Sequence, residues 1–181
     1  MRHRRREHWK GALVGLVGGA LGTLAMQGYW MAMREIAGRD LRKAKAKKPG
    51  PLDDMALAGN QLAAGEASTE ALGRIAYETA TGDEPEKAEK QALSTAVHWS
   101  FGCGQGALYG AIRANAEPPD ALGGLVLGTA LWGFSEVGLP ALGFGKGPTA
   151  YAAEEHLSTW GAHAVYGLTV STVTQLLAKL L

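Results

Sequence analysis

Four stretches of the chain contain almost no charged residues, and the charged residues fill the intervals between them. Apart from Glu136 in the third stretch and Arg113 at the end of the second, they hold no Asp, Glu, Lys or Arg. A surface helix of a water-soluble protein would carry polar residues along its outer face, which these stretches lack. Each stretch also reaches the ~20 residues that a helix needs to cross the ~30 Å hydrocarbon core of a bilayer. The pattern predicts four transmembrane helices, at about 11–33, 92–113, 121–142 and 157–178.

The fold class that follows is all-α, a four-helix transmembrane bundle in a single membrane domain over residues 1–181. Residues 34–90 then form an extramembrane segment between the first two spans. Apolar positions at helical spacing over 69–80 predict a short amphipathic helix inside it. The strings LGT and YG each occur twice, which favours a tandem duplication of a two-helix unit. A water-soluble helical protein is the alternative, because the mean hydropathy of the whole chain is near zero.

Glycine supplies 26 of the 181 residues and recurs at every fourth position within the predicted spans. Lipid provides no hydrophobic drive for helices to associate, so membrane helices gain contact energy where small residues let their backbones approach closely. We therefore expect the glycines at this spacing to be helix-packing positions rather than ligand sites. They are Gly15, Gly19, Gly102, Gly106, Gly110, Gly124, Gly128 and Gly167.

Lys and Arg nearly balance Asp and Glu, 18 against 17, so no overall field marks the chain as a nucleic-acid binder. Basic residues cluster before the first span and again after it, over Arg39–Lys48. Because cytoplasmic loops carry an excess of Lys and Arg, both clusters favour the cytoplasm, although the two ends of a simple span lie on opposite sides of the membrane. We expect the N-terminus in the cytoplasm, because its cluster begins the chain and needs no translocation. Arg39–Lys48 then lies near anionic lipid headgroups on the outer side, or the first helix is re-entrant. The first apolar stretch is longer than the core of a signal peptide and no small-residue cleavage site follows it, so we expect an uncleaved span.

Each predicted span contains a polar residue at a matching position, and these four residues lie equally far along the sequence from the span ends on one side of the membrane. At 1.5 Å per residue this common depth is roughly 9 Å. Ionisable groups within a membrane are costly and usually face the bundle interior or a cavity. We therefore expect one inward-facing polar layer, formed by Gln27, His98, Glu136 and His163.

Several functions are compatible with this layer. It could be a structural hydrogen-bond network, or it could handle protons or a small polar solute. Four helices make a thin bundle, so a pathway for a proton or solute would need a homo-oligomer. His98, Glu136 and His163 are also candidate metal ligands for an intramembrane enzyme, since two imidazoles and a carboxylate suit zinc or iron. In a further alternative, the chain is a membrane assembly or scaffold protein that docks a partner through the segment 34–90. The sequence requires no cofactor and names no reaction, which favours a protein that is not an enzyme.

Three motifs resemble successive landmarks of the YagU-like family, small bacterial inner-membrane proteins without an assigned activity. The motifs are HWSFGCGQGALYG, GFSEVGLPALGFGKGP and GAHAVYGLTVS, and the resemblance covers roughly residues 92 to 170. The shared positions are His98, Phe101, Gly102, Gly106, Tyr109, Gly110, Glu136, Pro140, Gly143, Pro148, His163, Tyr166 and Gly167.

The resemblance implies a multi-pass protein of the bacterial inner (cytoplasmic) membrane and supplies no substrate. It also implies a link to acid tolerance, which agrees with titratable groups inside the membrane. In the family an acidic pair often occupies the third-span position, where this chain has Ser135 and Glu136. This departure from the family pattern argues against a mechanism that requires two carboxylates.

Overall fold

A computed structural model of the chain describes residues 7–43, 50–113 and 120–180. These residues form helices and connecting segments without a β-strand, so the predicted all-α class is confirmed. Two parts of the sequence-based interpretation lie outside the described residues: the basic residues at 2–6 and the lysines at 45–48.

Five helices account for most of the described chain. They are α1 (His8–Ala37), α2 (Ser68–Thr81), α3 (Lys87–Ile112), α4 (Ala121–Ala141) and α5 (Ala153–Ala178). The helix predicted over 69–80 is confirmed as α2, and it ends at Gly82, whose φ of 81° is a left-handed conformation that glycine adopts without strain. The four predicted spans correspond to α1, α3, α4 and α5, the second and third each ending one residue after its helix, and α5 starts one turn before the predicted residue 157.

Two of the described helices, α1 and α4, are long and apolar enough to cross a membrane. Only 11% of the most apolar stretch of α4 is buried within the chain itself. A helix in the core of a water-soluble protein would be buried over most of its length. All four predicted membrane spans stay predictions.

Contacts divide the chain into two compact units. Unit 1 comprises Met1–Lys43, Phe101–Trp132 and Leu157–Leu181, and unit 2 comprises Ala44–Ser100 and Gly133–His156.

In unit 1, α1 and α3 meet backbone to backbone at their glycines. A Cβ added to Gly15 would overlap the carbonyl of Gly106, and one added to Gly19 would overlap the carbonyl of Gly102. Because residue numbers rise along one helix as they fall along the other, the two helices are antiparallel. The glycines that were predicted to pack helices are therefore in contact with one another in this pair.

Helix α5 packs against both α4 and α1 in unit 1. Gly124 and Gly128 of α4 face the backbone of Gly167 and His163, again in antiparallel order. On its other side, Val170 of α5 lies against Gly18 and Gly22 of α1. The Tyr166 hydroxyl donates a 2.6 Å hydrogen bond to the Gly102 carbonyl and so joins α5 to α3. Glycine contacts and this buried hydroxyl thus connect the helical segments of unit 1.

In unit 2, the segment 50–68 runs alongside the connector 141–149. The Thr149 hydroxyl donates to Asp53 at 2.6 Å and accepts the amide of Leu52 at 3.1 Å. Further along, the amide of Gln61 donates to the Gly143 carbonyl at 2.9 Å, and the Ser68 hydroxyl donates to the Phe144 carbonyl. The extramembrane segment predicted over 34–90 therefore forms regular hydrogen bonds with the connector between α4 and α5.

A buried ion pair fixes the loop that precedes α2. The Arg74 guanidinium donates to both carboxylate oxygens of Glu66, at 2.9 and 3.0 Å, and to the Gln61 carbonyl at 2.9 Å. The Glu66 side chain is only 7% exposed. The hydrogen bonds from Arg74 lower the pKa of Glu66 below its ordinary value, because they stabilise the carboxylate form.

We expect Gly106→Ala to destabilise the folded chain by about 1–3 kcal/mol, because its Cβ would overlap the backbone of Gly15 and Gly19. Gly104→Ala on the same helix is the matched control, since a Cβ there meets nothing within 4 Å. Thermal unfolding in detergent would measure both. Equal behaviour of the two variants would contradict the close backbone contact.

We expect the free energy of unfolding to fall as the pH drops below 4.5, the ordinary value for Glu66. A carboxylate with a lowered folded pKa stabilises the fold above its unfolded pKa, and this contribution is lost as the pH falls through the folded pKa. Glu66→Gln should cost about 1.5–3 kcal/mol at neutral pH and flatten the acid dependence. Glu84→Gln, at an exposed partner of Lys90, should leave the acid dependence in place. Thermal unfolding at a series of pH values would decide.

Candidate functional site

A π-helical turn over Phe134–Gly138 interrupts α4 and carries Glu136. The amide of Leu139 bonds to the carbonyl of Phe134, five residues earlier, instead of four as in an α-helix. Pro140 has no N–H, so it cannot make the α-helical bond to the carbonyl of Glu136. Such turns widen a helix by one residue and are frequent at functional sites. The local sequence thus accounts for the irregular backbone at Glu136.

The partner of Glu136 is His156, in the first turns of α5. Its Nδ1 lies 2.5 Å from Oε2 of Glu136, and its Nε2 lies 2.9 Å from the carbonyl oxygen of Pro148. A carbonyl oxygen can only accept, so Nε2 carries a hydrogen and Nδ1 is directed at the carboxylate. The ring of Tyr151 stands edge-on to the imidazole, with centroids 6.3 Å apart. His156 is therefore held on several sides.

Glu155 adds a second carboxylate to this pair. Its Oε2 lies 3.7 Å from Nδ1 of His156, and the ligand atoms of Glu136, Glu155 and His156 all lie within 4.8 Å of one another. The three side chains are 11%, 11% and 24% exposed, respectively. We call these three residues the carboxylate–imidazole centre. Two carboxylates beside one imidazole make it a site that attracts cations.

The connector that orients the centre is itself fixed within unit 2. Pro148 begins the 3₁₀ turn Pro148–Ala150, and Thr149 in that turn makes the hydrogen bonds to Asp53 and Leu52. The Gly147 amide also donates to the Asp53 carbonyl at 3.0 Å. The carbonyl of Pro148 is therefore positioned by the contacts with Leu52 and Asp53.

The structure distributes the four residues of the predicted polar layer over both units. Gln27, in unit 1, is exposed, unlike the inward orientation that the sequence suggested. His163, also in unit 1, has its Nδ1 2.8 Å from the carbonyl of Thr159 in its own helix. His98 and Glu136 belong to unit 2, where His98 is half-buried. The layer as a whole stays a prediction.

Three of the described residues, Glu136, Glu155 and His156, offer ligand atoms close enough together to hold one metal ion. Of the metal ligands predicted from the sequence, this group contains Glu136 alone. Sequence reasoning missed Glu155 and His156 because it assigned them to the connector before residue 157. The available signal was the adjacent Glu-Glu-His at 154–156, in the first turn of the last helix. Glu155 also supplies the second carboxylate that Ser135 and Glu136 could not.

Comparison of the chain with protein-family models, with curated proteins and with solved structures found no significant match. The resemblance to the YagU-like family stays a prediction, and functional arguments start from the geometry of the centre.

We expect Nε2 of His156 to carry a hydrogen in the metal-free chain, because Nε2 faces the Pro148 carbonyl. His163 offers a contrast in the same chain, since its Nδ1 faces a carbonyl and is expected to carry the hydrogen. Nitrogen chemical shifts of ¹⁵N-histidine-labelled protein would distinguish the two, with His156→Gln and His163→Gln to assign the signals. A His156 ring whose Nε2 lacks a hydrogen would contradict the geometry.

Proposed function

We propose that this chain is a multi-pass protein of the bacterial inner membrane that holds a small cationic or polar solute at the carboxylate–imidazole centre. The membrane part of the proposal is carried by one observation: in unit 1 large apolar side chains face outward, while glycines and hydroxyl side chains lie inside.

The outward side chains belong to every helical segment of unit 1. They include Leu13, Leu16, Leu24, Leu108, Val126, Leu168 and Leu176. A water-soluble protein rarely leaves so many large apolar residues exposed together. In a bilayer the same arrangement costs nothing, because lipid tails cover these side chains.

The inward positions of unit 1 support the same proposal. Thr23, Ser171 and Thr174 are at most 5% exposed, and they lie among the glycines of the helix contacts. Small and hydroxyl residues are what membrane helices place between one another. Helices α3 and α5 contact the apolar helices α1 and α4 within this unit, which supports more than two crossings.

The carboxylate–imidazole centre supports the functional part of the proposal. Glu136 lies in the last turns of the apolar helix α4, where a carboxylate without a function would be expensive. The basic residues before α1 favour a cytoplasmic N-terminus, in keeping with the family resemblance.

Single cysteines in a Cys103→Ser background test the membrane location. Leu16→Cys on α1 and Val126→Cys on α4 should resist a water-soluble maleimide in sonicated membranes, because lipid covers them. Leu57→Cys is the control, since Leu57 is an 89% exposed apolar residue in the extramembrane segment. All three should react after denaturation.

Equal labelling of Leu16→Cys, Val126→Cys and Leu57→Cys in intact membranes would reject the proposal. Recovery of the native chain in the soluble fraction without detergent would reject it as well.

A further inference from the structure

We propose that the solute at the carboxylate–imidazole centre is a divalent transition-metal ion of the zinc class, bound by Glu136, Glu155 and His156. This inference rests on the proposed function and names its ligand. It differs from the site that the sequence suggested, which combined Glu136 with His98 and His163.

The distances between the ligand atoms fit one ion with little movement. Metal–ligand bonds of about 2.1 Å place neighbouring donors in a tetrahedral site roughly 3.4 Å apart. In the structure, Nδ1 of His156 is 2.5 Å from Oε2 of Glu136 and 3.7 Å from Oε2 of Glu155. These two separations lie on either side of the required value. A cation between the three atoms would replace the short Glu136–His156 contact with two metal bonds.

The orientation of His156 is the one that a metal-binding histidine requires. Such histidines bind the metal through one ring nitrogen and donate the other N–H to a carbonyl or carboxylate, which fixes the ring. Here Nε2 is directed at the Pro148 carbonyl, leaving Nδ1 for the ion. The hydrogen bonds of Thr149 hold that carbonyl in place from the side of Asp53.

The chemistry of the donor set indicates the class of metal. An imidazole nitrogen favours zinc, iron, nickel or copper, while carboxylate oxygens accept these ions and harder ones. Mg²⁺ prefers an all-oxygen octahedral shell with several waters, so it should bind poorly at a site that depends on His156. Three protein ligands also leave coordination positions open to water or a small polar ligand, as in catalytic rather than structural zinc sites.

The test uses the full-length chain in detergent micelles, freed of metal by a chelator and titrated with Zn²⁺. We expect one ion per chain, and a dissociation constant raised by roughly 100-fold in Glu155→Gln and His156→Ala. Glu154→Gln is the matched control, because Glu154 is the exposed neighbour of Glu155 and lies outside the centre. Its affinity should stay within about twofold. Mg²⁺ at the same concentration should not compete.

Cobalt(II) supplies a second readout that does not depend on affinity. Its visible absorption spectrum should show nitrogen and oxygen ligation at low coordination number in the wild-type chain and should change in Glu155→Gln. Circular dichroism of each metal-free variant shows whether the variant is folded, so that a loss of binding is interpreted only for folded chains. If both centre variants unfold, Glu136→Gln and Glu136→Asp provide replacements at the third ligand.

The inference is overturned if Zn²⁺ fails to bind, if binding survives His156→Ala, or if it is lost in Glu154→Gln. If Zn²⁺ binding is lost in His163→Gln or His98→Gln but unchanged in His156→Ala, the metal belongs instead to the site that the sequence suggested. Cysteine labelling separates this failure from that of the proposed function. A chain that is protected from maleimide at Leu16→Cys and yet binds no metal rejects the metal alone.

Discussion

The antiparallel contact between α4 and α5 is the constraint on which the packing of unit 1 depends. Gly128 has no side chain, so α4 can approach the backbone of α5 at His163 within van der Waals contact. One turn earlier on α4, Gly124 meets the backbone of Gly167 in the same way. Lipid gives helices no hydrophobic drive to associate, so contact energy has to come from such close approach. Small residues with no chemistry of their own thus set the helix register within unit 1.

The helices could be predicted from the sequence because their signals are local. Apolar runs, helical spacing and the glycine at position 82 each act within a few residues, and α2 appears where the periodicity placed it. The carboxylate–imidazole centre could not be predicted in the same way. Matching depths from estimated span ends paired Glu136 with His163, because α5 was expected to begin at 157. The contact of Glu136 with His156 depends on a last helix that starts at Ala153 and on how the chain folds back between the two residues, which local patterns do not show.

The segment 50–68 has a closer relation to the centre than its polar composition suggested. It contributes Asp53, which receives the Thr149 hydroxyl, and the neighbouring residue Pro148 supplies the carbonyl opposite His156. Orientation of an imidazole by a backbone carbonyl is worth little if that carbonyl is free to move. A stretch that looks like a soluble insertion therefore serves as the support of the centre.

The π-helical turn at Phe134–Gly138 has an evolutionary consequence. A helix that contains one surplus residue can lose it and return to regular α geometry, leaving every contact before the turn unchanged. If the lost residue is Phe134 or Ser135, the Glu136 side chain would swing about 100° around the helix axis, away from His156. Gain or removal of a single codon in this turn is thus a simple genetic route by which related chains could acquire or abandon the centre while keeping their helix packing.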